Sequence, residues 1–113
     1  SMGRVLLAAR PKGEAAGILE QTPLIARTPL TRTDPAAILA ELARIRAQGY
    51  ALIDQEVEMG LRSIAVPIRN ARGATVAALN IGAPATQQSV TDLVDLYLPA
   101  MQAVQAELRA MLN

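Results

Sequence analysis

Between Tyr50 and Gly82 apolar residues recur at every second position or run on unbroken, which predicts strands rather than helices. The segments YALIDQEVEMG, LRSIAVPIRNARG and ATVAALNIG read as three short strands, each bounded by Gly or Asn. The clearest turn signal is Asn70-Ala71-Arg72-Gly73. A loop formed by Ala71 and Arg72 pairs Asn70 with Gly73. It sets Ser63 opposite Asn80, Ile64 opposite Leu79, Ala65 opposite Ala78 and Val66 opposite Ala77. Alternation then gives one core face of Ile64, Val66, Ile68, Ala77, Leu79 and Ile81. The other face carries Ser63, Ala65, Ala78, Asn80 and Gly82. It is small and lightly polar where a plain solvent face would show Lys, Glu and Thr, so it reads as a hollow furnished with hydrogen-bonding groups. Tyr50, Leu52 and Asp54 share a face of the preceding strand, and Asp54 is expected to reach the same hollow through the Gln55–Leu61 loop. Pro67 removes a ladder donor and points to an edge-type position or a bulge.

Outside this stretch the period lengthens to that of helices. Gly3 to Ala9 is a short apolar helical run, interrupted by Pro11. Lys12 to Glu20 forms a second helix with Ala15, Ile18 and Leu19 inward. Pro23, Pro29 and several Thr make residues 21–33 a connector. Asp34-Pro35 is a strong helix start, with Asp at the N-cap and Pro in the first turn. This helix runs to about Gln48 on a stripe of Ile38, Leu42 and Ile45, and Gly49 stops it. After Ala83-Pro84-Ala85, Ser89 or Thr91 caps a last helix that runs to about Leu112, with Asp92 in its first turn. Its expected inward stripe is Leu93, Leu96, Ala100, Val104, Leu108 and Met111, and Pro99 should kink or split it. The fold class is α+β: an antiparallel three-stranded sheet with flanking helices.

The 113 residues suit one domain with an aliphatic core, since there is no Phe or Trp. A net charge of +1 argues against a nucleic-acid-binding domain, which needs a concentrated basic face. No apolar run spans a bilayer and no secretory leader is visible, so the cytoplasm is the default location. Without Cys or His there is no disulfide, thiol or imidazole chemistry, and most transition-metal sites are excluded. No Gly-rich phosphate loop opens a helix, and Ser63 sits in no nucleophile elbow. An enzyme is therefore disfavoured and no cofactor is expected. The Ser1-Met2 start reads as a cloning remnant ahead of a piece of a longer protein.

GRVLLAA, the run TDPAAILAELARIRAQGYALIDQEVEMGLRSIAVPIRNARGATVAALNIGAPA and VTDLVDLYLPAMQAVQAEL together resemble the effector-binding domain of IclR-family bacterial transcriptional regulators. GLRSIAVPI looks like the branch that governs aromatic-acid catabolism through the β-ketoadipate route. The resemblance covers nearly the whole chain from Gly3. It implies a GAF-like or profilin-like sensor fold that is N-terminally truncated here, without the winged helix-turn-helix, the linker helix and the opening strands. DNA contact would then fall to the missing domain. The resemblance further implies dimers or tetramers and a small carboxylate effector. The family's recurring ligand positions match Asp54, Ser63, Asn80 and Gly82. Ser63 stands where some relatives have Cys, and Asn80 and Gly82 where some have Ser. Backbone N–H groups just before GRVLLAA would also meet the effector carboxylate, and Ser1 and Met2 occupy that place.

Each signal has a plainer counterpart. Asp54 can serve only to tie its loop, and Ser63 with Asn80 can be a mere cross-strand pair. Ala65, Ala78 and Gly82 can be small because a helix packs on them. Met59 is placed at the pocket mouth, yet Met is also an ordinary gap-filler. Glu56 and Glu58 read as a solvated loop, and Arg62 and Arg69 as surface charges. The leading function is small-carboxylate sensing and oligomerisation within a transcriptional regulator. The alternative is a purely structural oligomerisation domain.

Overall fold

The computed structural model describes residues 2–22 and 24–113. Two short helices come first, α1 (Met2–Ala8) and α2 (Lys12–Gln21), followed after an irregular connector by α3 (Pro35–Gln48). Asp34 caps α3 by accepting the Ala36 N–H, and Gly49 ends it with φ 88°, in the left-handed region that favours glycine. Strands β1 (Ala51–Asp54), β2 (Leu61–Arg69) and β3 (Thr75–Pro84) form an antiparallel sheet in the order β1-β2-β3. Helix α4 (Val90–Asp92) runs through a π-helical turn, Leu93–Tyr97, into α5 (Leu98–Met111). A capping box between Ser89 and Asp92 starts this last helix, so Ser89 rather than Thr91 is the cap.

The sheet is the middle of three layers. Ala51 and Ala65 on one face pack with Val5 and Ala8 of α1, Ala15 and Leu19 of α2, and Ile38, Leu42 and Ile45 of α3. On the other face Ile64 and Val66 pack with Leu93, Leu98 and Met101. Much of the small face is therefore small because α1 lies directly on it, with Ala78 also against that cluster. Ile18, expected inward, is exposed.

The register differs from the expected one by two residues. Ser63 pairs with Gly82, Ile64 with Ile81, Ala65 with Asn80 and Val66 with Leu79. The cause is Asn70. Its side-chain carbonyl accepts the N–H groups of Arg72 and Ala74, both at 3.0 Å, and its own N–H donates to the Ala74 carbonyl at 2.9 Å. This Asx-type turn extends the loop to Ala74. The register also slips between Ile68 and Arg69, leaving Val76 as an extra residue on β3. An even shift keeps every side chain on its expected face and changes only its partner. Pro67 lies in the central strand, but β1 ends opposite Ala65, so β2 has one neighbour there. The Pro67 carbonyl is taken by the Gln105 side-chain amide at 2.6 Å.

The last helix is split, as Pro99 requires, but its stripe is rotated. Leu93, Leu98 and Met101 are buried, whereas Leu96, Val104 and Met111 are 60%, 40% and 76% exposed. A π turn adds about one residue, and a helix turns by roughly 100° per residue. The stripe that would continue from Leu93 through Leu96 and Val104 passes instead through Leu98, Met101 and Gln105.

Leu42 has no exposed surface and touches the layer between α3 and the sheet. Leu42→Ala should lower the unfolding free energy by about 2–5 kcal/mol, measured by urea denaturation. A loss well under 1 kcal/mol would mean that this layer is not packed as described.

Candidate functional site

Ser63, Asn80 and Gly82 share a face of the sheet. Ser63 stands directly opposite Gly82, and Asn80 is its diagonal neighbour, at roughly 7–8 Å for such positions. Ser63 is buried, whereas Asn80 and Gly82 are exposed. The Asn80 side chain makes no hydrogen bond among the described residues. Gly82 and Met59 line a shallow hollow of about 300 Å³ with Glu58, Gly60, Leu61 and Pro84. A Cβ built on Gly82 would meet Leu61 Cδ1 at 3.6 Å, so the glycine keeps this end of the sheet open without being sterically compelled. The N–H groups expected to precede Gly3 fall partly on Ser1, which lies outside the described residues.

Asp54 does not join this group. Its partner across the ladder is Arg62, so it lies on the opposite face from Ser63. Asp54 Oδ1 accepts from Arg62 Nε at 2.6 Å, and Arg62 also donates to the carbonyls of Ala85 and Gln88. Arg62 is thus a strut between β1 and the approach to α4, not a loose surface charge. Its hydrogen bond holds the Asp54 carboxyl below the usual range, over a smaller opposing effect of burial.

The residue that sequence reasoning missed is Glu56. It is 7% exposed, in a loop expected to be solvated. A buried carboxylate must find counter-charges and donors. Arg4 of α1 donates to it from both terminal guanidinium nitrogens, Nη1 and Nη2, at 2.7 and 2.6 Å. The Arg32 N–H donates to it at 3.0 Å, and the Arg32 side chain approaches at 3.8 Å. Arg32 also reaches Glu41 of α3 at 3.3 Å, and Arg44 reaches Glu41 at 3.4 Å. Thr28 and Thr31 of the connector donate to the Gln55 and Glu56 carbonyls. Gln55 itself adopts φ 61°, the only positive value at a non-glycine among the described residues. No local signal marks this network, because Glu56 and Arg4 are 52 positions apart. Burial pushes the Glu56 carboxyl up, but Arg4, the Arg32 amide and both charges together bring it below its ordinary value.

A larger cavity, about 960 Å³, lies at the other end of α1, between Val5, Leu6 and Arg10 and the hairpin residues Arg69, Thr75 and Val76. None of the residues singled out from the sequence as ligand-binding lines it. Among the described residues, no group of carboxylates could hold a metal ion, and no helix is long and apolar enough to cross a membrane.

The sheet is thus covered by three helices on one face and by the last helix on the other. The family described as "Bacterial transcriptional regulator IclR C-terminal" matches residues 1–108, and the chain belongs to it. The chain is 42% identical over 108 residues to the Pca regulon regulatory protein of Pseudomonas putida, covering 96% of this chain and 37% of that protein. It is 37% identical over 109 residues to the p-hydroxybenzoate hydroxylase transcriptional activator of Acinetobacter baylyi, covering 96% and 40%. The chain thus spans about two fifths of the length of these relatives. Its structure resembles the inducer-binding domain of PobR from Acinetobacter, a double mutant in complex with 3-hydroxybenzoic acid. That likeness has TM-score 0.93 at 36% identity, over 96% of this chain and 62% of that one. It also resembles the C-terminal domain of Escherichia coli KdgR, with TM-score 0.87 at 34% identity over 96% and 66%. These relatives are regulators of transcription, and the chain is a domain of that class rather than an enzyme.

Glu56→Gln should lower stability by about 3 kcal/mol near neutral pH, because Arg4 loses its charge partner in a largely buried place. The Glu56 carboxyl lies lower in the folded than in the unfolded chain. Its contribution is therefore whole above the ordinary carboxylate range and is lost as pH falls through the folded value. Urea unfolding at neutral pH and near pH 3 should show the gap between wild type and Glu56→Gln narrowing in acid. A gap independent of pH would contradict the ion-pair assignment.

Proposed function

We propose that this domain senses a small carboxylate, of the hydroxybenzoate or dihydroxybenzoate class, at the Ser63 end of the sheet. The observation that carries this reading is the shared face of Ser63, Asn80 and Gly82 beside an apolar-tipped loop whose Met59 lines a hollow together with Gly82. Such a place offers hydroxyl and carboxamide hydrogen bonds within an apolar surround, the usual makeup of a small-molecule site. The likeness to a hydroxybenzoate-bound inducer domain supports the same ligand class. Asp54 acts at one remove, by fixing Arg62. Bound effector would favour one arrangement of the regulator over another, in the cytoplasm, and DNA would be met by a further domain of the whole chain.

A second reading, assembly of copies, is favoured by a specific feature. Leu96, Val104 and Met111 form an exposed apolar stripe along the last helix, and β3 has one unpaired edge among the described residues. The two readings are compatible and separate cleanly. Titration calorimetry of the intact regulator with 3- and 4-hydroxybenzoate, protocatechuate and β-ketoadipate should show heat for at least one acid. The Ser63→Val, Asn80→Val double variant should lose at least about tenfold in affinity, the order expected for two hydrogen bonds. Binding unchanged by that double variant would place the effector elsewhere.

A further inference from the structure

The loop between β1 and β2 joins two unlike parts. Its tip is apolar and exposed, with Val57 and Met59 both more than half accessible. Its base is polar and buried, with Glu56 locked to Arg4 and the Gln55 and Glu56 carbonyls held by Thr28 and Thr31. A solvated loop would reverse this pattern, since exposed apolar tips and sequestered carboxylates both carry a cost. The tip also rests on the far end of β3, where the Gly60 carbonyl accepts the Ala85 N–H at 2.7 Å and Met59 faces Gly82 across the hollow.

We propose that Glu56 is a positioning residue for the effector hollow, and that its two-pronged pair with Arg4 clasps α1 to the Gln55–Gly60 loop. The walls of the hollow are this loop and the end of β3, so by anchoring the base of the loop to α1 the clasp fixes how far Met59 stands from Gly82. Glu56 and Arg4 do not touch the ligand. They hold the loop wall that does. This rests on the ligand site proposed above, but the clasp itself has a readout that needs no ligand.

Two measurements on the intact regulator test it. Hydrogen exchange followed by mass spectrometry should show that Glu56→Gln speeds exchange in residues 57–60 and in α1 together, with α5 unchanged. Calorimetry with the hydroxybenzoates should show Glu56→Gln and Arg4→Met each weakening binding about tenfold, the scale on which small misplacements act. The double variant should bind no worse than the weaker single variant, as residues acting as one unit do. Glu41→Gln removes the charge of another buried carboxylate of the same network, whose ion pairs are with Arg32 and Arg44 and not with α1. It should leave affinity within about twofold. Unchanged exchange in the loop, additive effects of the two clasp variants, or an equal loss from Glu41→Gln would each overturn the proposal. If the wild type binds none of the acids, the sensing reading fails, and the exchange result alone decides the clasp.

Discussion

A carboxylate removed from water must be met by charge and by donors, and here that demand fixes where four segments come together. Glu56 draws Arg4 from α1 and Arg32 from the connector, while Arg32 in turn meets Glu41 on α3. The charges alternate along this row, so no carboxylate in it is left without a cation. Replacing such a row by apolar side chains would not by itself weaken the fold, because desolvation and attraction nearly cancel. What the row supplies is address: α1, a helix of seven residues, has too little surface to choose its place on the sheet by burial alone. Ala51, Ala65 and Ala78 provide a flat seat, and α1 is fixed on it by the Arg4–Glu56 pair at one end and by Arg46 donating to the Ala8 and Arg10 carbonyls at the other.

Much of the architecture could be read from the residues. Asp34-Pro35 and Gly49 bracket a helix because each has a specific backbone role, and those roles do not depend on the rest of the fold. The faces of the sheet were also legible, since alternation is local. The register was not. A slip of two residues leaves every face intact, so the hydrophobic pattern cannot detect it; the amides caught by the Asn70 side chain supply one residue of it and the bulge at Val76 the other. The same logic explains the last helix. Pro99 announces a disruption, but whether the chain bends or inserts a residue depends on the packing of Leu93, Leu98 and Met101 under the sheet. Insertion won, and one side of the helix was exchanged for another.

The candidate site divides along the same line. Ser63, Asn80 and Gly82 fall on one face by alternation alone, whatever their exact partners. Asp54 needed the pairing of β1 with β2, and its own strand carries no turn signal to supply it. Glu56 needed a partner from the opposite end of the chain. Position within a loop says that a carboxylate can reach water, not that it does.

The distribution of cations shapes what this face can recognise. Arg4 is committed to Glu56, and Arg62 is committed to Asp54 on the other side of the sheet. Neither is at liberty to pair with an incoming acid. An acid held between Ser63 and Asn80 would meet neutral donors, whose net contribution is about 1 kcal/mol each in place of the larger figure for a charged partner. Discrimination among acids would then rest on shape, on the apolar contact with Met59 and on the fit of a ring hydroxyl, rather than on charge. Binding of that kind is only weakly sensitive to salt, because no exposed ion pair is formed for salt to screen. Neutral recognition also leaves the charged row undisturbed, so ligand and clasp can occupy neighbouring places without competing for the same arginine.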